Sequence, residues 1–155
     1  MKFFTYDWWR HGKPALVDDP AAAYASHYAA CASRLPPDVR RLHDDIALHD
    51  AIVKSLTVDP DANVLTTTLV VGDLQVGYSQ LEIDYVDLSR FDQRSYFSEK
   101  GAPSSSGLDE LAFHECDVDG ELFVHRFLFW SGIEWCIRCR DMRLSLQEQA
   151  TRFGQ

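Results

Sequence analysis

The sequence predicts an α+β fold: two or three N-terminal helices packed on a mainly antiparallel, meander-like β-sheet of about six strands, curved or sandwich-like. The spacing of apolar residues changes near residue 48, from helical recurrence to strand-like alternation. The turn dipeptides Asp119-Gly120 and Ser131-Gly132 then separate segments that are adjacent in sequence, and such strands pair antiparallel. We therefore expect one domain over residues 1–155, with a helical part at 1–47 and a β-sheet part at 48–147.

The helical part carries start and stop signals. Thr5 can cap a short helix within an aromatic-rich start, whose rings we expect to cover one face of the sheet; the alternative is an exposed anchor for a partner. Asp19 as N-cap and Pro20 at the first helical position begin a longer helix, which Pro36 ends. The apolar stripes of this helix and of a short third one are Tyr24, Tyr28, Cys31 and Leu35, then Val39, Leu42 and Ile46.

The β-sheet part is expected to begin with strands at 52–58 and 64–71. The segment 74–88 is one long or two short strands, and three more follow at 108–118, 121–130 and 133–146. Between them, residues 89–107 contain a Gly-, Pro- and Ser-rich stretch and are predicted to be a mobile loop.

Composition bounds the class of partner. The net charge of −9 repels phosphate backbones, so nucleic acid is not an expected partner, whereas a basic protein would be attracted. The alternative is that the charge only maintains solubility. With neither a secretory signal nor a membrane-length apolar stretch, the sequence predicts a cytoplasmic protein without a membrane partner. Open sheet edges leave both a monomer and a homodimer possible.

Four cysteines are predicted to be free thiols in a reducing compartment. Cys136 and Cys139 have C-x-x-C spacing, but they lie in a predicted strand, where side chains three residues apart point to opposite faces. A redox or zinc C-x-x-C pair needs converging sulfurs, so this pair is not expected to be functional.

Hairpin geometry places polar residues together. A two-residue turn at Asp119-Gly120 would pair His114 with His125, and one at Ser131-Gly132 would pair His125 with Arg138. A three-residue loop at the first turn would instead bring Glu115 opposite His125. The first register predicts a polar face away from the core, made of His114, Cys116, His125, Glu134, Cys136 and Arg138.

Three of these side chains could bind a transition metal: His114, His125 and Cys116. We expect instead hydrogen-bonded histidines under the N-terminal helices, since Phe123, Phe127 and Phe129 on that face need a cover. The sequence therefore predicts no metal ion and no cofactor. It also contains no phosphate-binding glycine loop, nucleophile elbow or zinc-protease motif.

Several segments, in order, resemble an uncharacterised bacterial family, a domain of unknown function. They are MKFFT, ASRLPPDVRRL, LHDAIVKSLTVD, FHECDV and FVHRFLFWSGIEWCIRCRDMRL. The resemblance implies no reaction, but it nominates candidate residues. His49 and Asp50 match an LHD motif, Glu115 matches the glutamate of an aromatic-x-Glu strand, and His125 matches the histidine of a later Leu-His strand.

These observations favour a non-enzymatic binding or interaction protein of the bacterial cytoplasm, for example a toxin-neutralising partner of a basic enzyme. The alternative is a metal-dependent or acid/base enzyme that uses His49, Asp50, Glu115 and His125. If that alternative holds, the four residues converge in one pocket.

Overall fold

A computed structural model describes residues 1–12, 19–96 and 109–152. The fold is α+β: helices lie at the N-terminal end, and two antiparallel sheets of four strands each form the rest. The helices are α1 (Tyr6–His11), α2 (Pro20–Cys31) and α3 (Pro37–Asp45), with a short 3-10 turn at Ala32–Arg34. The strands are β1 (Ile52–Asp59), β2 (Val64–Asp73), β3 (Gly77–Val86), β4 (Arg90–Ser95), β5 (Leu111–Asp119), β6 (Leu122–Phe129), β7 (Ile133–Cys139) and β8 (Asp141–Gln149).

The helix starts follow the predicted caps. The Thr5 hydroxyl accepts the Trp8 N–H, and the Asp19 carboxylate accepts the Ala22 N–H at 3.0 Å, with Pro20 at the first position of α2. The predicted stripes are buried in the core, except that Ile46 is half-buried. None of the helices in the described part of the chain has the length and apolar character needed to cross a membrane.

The strands form a two-layer arrangement around one core. Sheet one has the order β1-β2-β3-β8, and sheet two has the order β4-β7-β6-β5. Near one corner the sheets meet, because Ile52 at the start of β1 bridges to Glu110 just before β5. Buried side chains of both sheets belong to a single apolar cluster, with Ile83 and Tyr85 from sheet one and Phe123 and Phe127 from sheet two.

The helices cover two sheet edges. The N–H of Cys116, on edge strand β5, donates to the Tyr24 hydroxyl of α2 at 2.8 Å. The N–H of Leu144, on edge strand β8, donates to the Asp38 carboxylate of α3 at 3.0 Å. Exposed strand edges invite pairing with other chains, so these contacts protect both edges at these points.

The number of strands differs from the prediction of about six. Residues 133–146 were expected to form one strand but form β7 and β8, which lie in different sheets and are separated by Arg140 alone. The predicted loop 89–107 was wrong at its start, where β4 pairs with β7 from Arg90 to Ser95. Residues 97–108, which include the Gly-, Pro- and Ser-rich stretch, lie outside the described residues.

Both hairpin registers differ from the prediction. The first turn is centred on Gly120-Glu121, so Asp119 pairs with Leu122 and Cys116 pairs with His125. Gly120 has φ +63° and occupies the position at which type II′ turns place glycine. This register is shifted by two residues from His114–His125 pairing and by one from Glu115–His125 pairing, so both expected pairs were wrong.

The second hairpin has a three-residue loop, Trp130-Ser131-Gly132, with Gly132 at φ +79°. His125 therefore pairs with Ile137 rather than Arg138. A shift of two preserves faces and a shift of one exchanges them, so His114, Cys116 and His125 still share a face. The two faces of β7 are exchanged relative to that expectation. Glu134, Cys136 and Arg138 lie on the face opposite the histidines, beside Val124, Arg126 and Leu128.

The assignment of the core face was also wrong. The histidine-bearing face of sheet two turns inward, toward sheet one, where Tyr85 contacts His125. Sheet one therefore covers Phe123, Phe127 and Phe129, instead of the expected N-terminal helices. The N-terminal residues pack on the other face of sheet two: Phe4, for example, stacks on Phe113 with ring centroids 5.1 Å apart.

Candidate functional site

Glu115 anchors the N-terminal segment, residues 1–4, on the outer face of sheet two. Its buried carboxylate accepts the N–H of Lys2 at 2.8 Å, of Phe3 at 2.7 Å and of Phe4 at 2.8 Å. Arg126, its cross-strand partner, places a guanidinium nitrogen 3.9 Å away. These contacts satisfy the buried carboxylate, so Glu115 performs a structural task here.

A second carboxylate on this face, Asp117, is surrounded by nitrogen atoms of basic side chains. His27 of α2 lies at 2.7 Å, Arg126 at 3.2 Å and Lys2 at 3.4 Å. Partial burial raises the pKa of Asp117, but the hydrogen bonds from His27 and the Val118 N–H, together with the nearby cations, outweigh it and lower the pKa overall. The carboxylate is thus ionised and already balanced by protein groups.

His125 lies at the centre of a buried polar network on the inner face of sheet two. Its Nδ1 is 2.8 Å from the Tyr85 hydroxyl, and its Nε2 is 3.3 Å from Nδ1 of His114. Cys116 is opposite His125 in the register and is buried, whereas His114 is partly exposed. We refer to His114, Cys116 and His125 as the His–Cys cluster; their nitrogen and sulfur atoms all lie within 4.8 Å of one another.

Burial keeps this cluster uncharged. It lowers the pKa of His114 to about 4, with a smaller contribution from the charge of His43. It lowers the pKa of His125 well below its ordinary value, and the charge of His114 adds to the effect. Burial also raises the pKa of the Cys116 thiol. At neutral pH the cluster therefore consists of two neutral imidazoles and a thiol.

A cavity of about 330 Å³ borders the cluster. Its wall is mostly apolar and aromatic, and three histidines contribute to it: His43 from α3, His49 before β1 and His114 from β5. The His43 ring stacks on Tyr28 with centroids 3.5 Å apart and lies 6.2 Å from the His114 ring. His114 therefore lies between the cavity and the interior of the protein.

His49 and Asp50 lie in the turn that precedes β1 and are exposed. Nδ1 of His49 is 2.9 Å from the Ala112 carbonyl oxygen, and the Asp50 carboxylate accepts the Trp130 indole N–H at 3.1 Å. Asp50 has φ +60°, a conformation that Asp tolerates better than most residues. These contacts match a turn role for the pair.

The four residues nominated by the family resemblance do not converge. Glu115 and His125 belong to neighbouring pairs of one ladder, Glu115–Arg126 and Cys116–His125, so their side chains point to opposite faces of sheet two. His49 lies on the rim of the 330 Å³ cavity, and Asp50 turns toward Trp130. Arg138, a secondary candidate, pairs with Asp92 at 3.2 Å on the outer face.

The structure groups exposed carboxylates at one end of the two sheets. Asp59, Val64, Val86 and Asp141 form a continuous row across sheet one. The β5–β6 turn of sheet two adjoins this row through a cleft of about 640 Å³, whose wall includes Asp87, Asp119 and Glu121. We call the six exposed carboxylates of this region the acidic end: Asp59, Asp61, Asp87, Asp119, Glu121 and Asp141.

Two arginines bring positive charge to the acidic end. Arg140 lies 3.5 Å from the Glu121 carboxylate, and Arg34 donates to the Gly120 carbonyl oxygen at 2.6 Å. The composition gives the amount of negative charge but not its position. The missing signal was present in the turns, since Asp59, Asp119 and Asp141 each lie at a strand end. Only the pairing order shows that these ends adjoin one another.

No protein-family model matches the chain, and no curated protein matches it. Among solved structures, the chain is similar to the crystal structure of an uncharacterized protein from Neisseria gonorrhoeae. The identity is 12% and the TM-score is 0.41, and the match covers 64% of this chain and 93% of that chain. These comparisons assign no activity, as the resemblance to an uncharacterised family implies.

Proposed function

We propose that this protein is a non-enzymatic interaction protein that binds a basic protein partner through its acidic end. The observation that carries the proposal is the grouping of six exposed carboxylates at one end of the sheets, against Arg34 and Arg140. Grouped charge of one sign produces a directed field, whereas dispersed charge mainly maintains solubility. A basic surface is complementary to that field.

The shape of the acidic end supports the same conclusion. Its 640 Å³ cleft offers Asp87, Asp119 and Glu121 around a concave surface, where the side chains of a partner can be enclosed. Asp87 has φ +53°, and Asp119 is the last residue of β5, so an ordered backbone carries both side chains. An ordered backbone loses little conformational entropy on binding. The same charges disfavour nucleic acid as a partner, because they would repel its phosphates.

The alternative function, an enzyme whose site combines the four nominated residues, has no geometric support, because Glu115, His125 and Asp50 are separated. In its more specific form, the proposal is that the protein acts in the bacterial cytoplasm and that its partner is a basic enzyme, which it neutralises. The aromatic N-terminal segment is bound to sheet two and is not part of the binding surface.

The test compares two triple variants with the same change in charge. The acidic-end variant carries Asp87→Asn, Asp119→Asn and Glu121→Gln; the control carries Asp45→Asn, Glu82→Gln and Glu148→Gln at exposed sites elsewhere. Both change the net charge from −9 to −6. Basic proteins that wild type retains from a bacterial lysate are identified, purified and titrated calorimetrically against all three proteins.

We expect the purified basic partner to bind wild type and the control with similar affinity, and the acidic-end variant at least about tenfold more weakly. Binding should also weaken strongly at 1 M salt, where the screening length is about 3 Å. Equal affinity for both variants, or retention of no basic protein at physiological salt, would contradict the proposal.

A further inference from the structure

The His–Cys cluster has the donor types and the arrangement of a transition-metal site. Cys116 and His125 are directly opposite each other on β5 and β6, and His114 lies two residues before Cys116, on the same face. Two imidazole nitrogens and one thiolate sulfur form a donor set that suits Zn²⁺. Three protein ligands leave a tetrahedral ion one further position, for water or another ligand.

The distances fit that geometry. Zn–N bonds of about 2.0–2.1 Å in a tetrahedron separate the two nitrogens by roughly 3.3 Å. Nδ1 of His114 and Nε2 of His125 are 3.3 Å apart. The atom pairs that involve Cys116 lie within 4.8 Å, and a tetrahedral N–Zn–S arrangement needs roughly 3.6 Å, so a small movement of the thiol side chain completes the site.

The Tyr85 hydroxyl orients His125 for metal binding. For Nε2 of His125 to bind a metal ion, the ring proton must be on Nδ1, and Nδ1 lies 2.8 Å from the Tyr85 hydroxyl, which can accept it. Such a partner fixes the tautomer and the orientation of a ligating histidine. Tyr85 is itself buried in sheet one, so the orientation depends on the packing of the two sheets.

The cluster also has access to solvent on one side. His114 lines the 330 Å³ cavity, together with His43 and His49. An ion can therefore enter through a cavity that already contains imidazoles. The described part of the chain contains one other cluster of metal-binding residue types, His27, Cys31 and Asp117, but Lys2 and Arg126 already neutralise its carboxylate.

We infer that His114, Cys116 and His125 bind one Zn²⁺ ion, whose fourth position is available to a ligand from the adjoining cavity. On binding, Nδ1 of His114, Nε2 of His125 and Sγ of Cys116 each donate an electron pair to the ion, and the thiol proton leaves to solvent. No change of oxidation state occurs. This inference is independent of the acidic end and goes beyond the proposed function.

The test uses the full chain without an affinity tag, stripped with a chelator and equilibrated with Zn²⁺ alone. We expect about one Zn²⁺ per chain and a melting temperature about 5–10 °C higher at a free Zn²⁺ concentration of about 100 Kd. With Co²⁺ in place of Zn²⁺, a thiolate-to-Co²⁺ charge-transfer band should appear. Cys116→Ser should abolish the band and most of the bound Zn²⁺.

Cys31→Ser is the matched control, because Cys31 is another buried cysteine beside a histidine and should leave the stoichiometry unchanged. If Cys116→Ser does not fold, His114→Gln at the cavity wall replaces it and should lower Zn²⁺ affinity at least about tenfold. Wild type that binds less than about 0.2 Zn²⁺ per chain, or equal losses in Cys31→Ser and Cys116→Ser, would overturn the inference.

Discussion

At the scale of single residues, the paired strands β5 and β6 place two buried polar groups in opposite roles. The Glu115 carboxylate accepts hydrogen bonds from three backbone N–H groups, whereas His125 stays neutral beside Tyr85 and His114. Both solutions satisfy the rule that buried polar groups need partners. The two side chains are close in the ladder but separated by the sheet itself, and this separation divides a structural anchor from a candidate ligand site.

Replacing Glu115 tests the anchor. We expect Glu115→Ala to lower the free energy of unfolding by about 3–4 kcal/mol, because three N–H groups lose their acceptor and Arg126 loses a nearby carboxylate. Glu115→Gln keeps one acceptor oxygen and should cost about 1–2 kcal/mol. Urea unfolding measures both, and hydrogen exchange at Lys2, Phe3 and Phe4 should accelerate. Glu82→Gln, on the exposed face of β3, should stay within about 0.5 kcal/mol of wild type; a similarly small effect of Glu115→Ala would refute the anchor.

The buried histidines predict a pH dependence for the metal-free protein. The pKa of His114 is lowered to about 4 in the folded state, against about 6.5 when unfolded, so the unfolded chain binds more protons between these values. The contribution of His114 to the free energy of unfolding is therefore fully present above pH 6.5 and is lost as the pH drops toward 4. In chelator, His114→Gln should reduce this slope by at most about 1.4 kcal/mol per pH unit. The exposed control His11→Gln should not change it, and equal slopes in all three proteins would count against the shift.

At the scale of elements, the helices were predictable because their signals are local. Thr5, Asp19 and Pro20 act within a few residues, and the structure confirms each cap. The stripe of Tyr24, Tyr28 and Cys31 likewise follows from helical spacing, and it is buried. The fold class was predicted for the same reason, since a change of apolar spacing needs no knowledge of long-range contacts.

Strand registers were not predictable because one residue in a turn decides them. The dipeptide Asp119-Gly120 suggested a turn centred on those residues, but Gly120 takes the first turn position and moves the pairing by two. At the second hairpin Trp130 joins the loop, which exchanges the faces of β7. The candidate site depended on these registers. The His–Cys cluster survived because a shift of two preserves faces, whereas Arg138 moved to the other side.

Two strands were missed for reasons of context. β4 has the sequence RFDQRS, which is polar and carries no clear alternation, and it is a strand because β7 offers it a partner edge. β7 and β8 look continuous, since Arg140 is the one residue between them. The chain leaves sheet two for sheet one there, and a change of sheet depends on tertiary packing that local propensity does not encode.

At the scale of the whole molecule, the distribution of charge has a cost in stability. Like charges at the acidic end repel one another in the folded state and are further apart, on average, in the unfolded chain. Proteins commonly retain such unfavourable groups where function needs them. If the carboxylates served solubility alone, a dispersed arrangement would provide it with less repulsion. The stability of the charge variants therefore bears on function without requiring the partner.

The same two triple variants test this cost. At about 10 mM salt, we expect the acidic-end variant to melt about 2–5 °C above wild type, because three of six neighbouring carboxylates lose their charge. The control variant changes the net charge equally but takes its three carboxylates from separate elements, α3, β3 and β8, so its melting temperature should stay within about 1 °C. At 1 M salt a screening length of about 3 Å should remove most of the difference. Equal shifts in both variants would mean that net charge, rather than its grouping, determines the repulsion, and the argument for a directed binding surface would lose its energetic support.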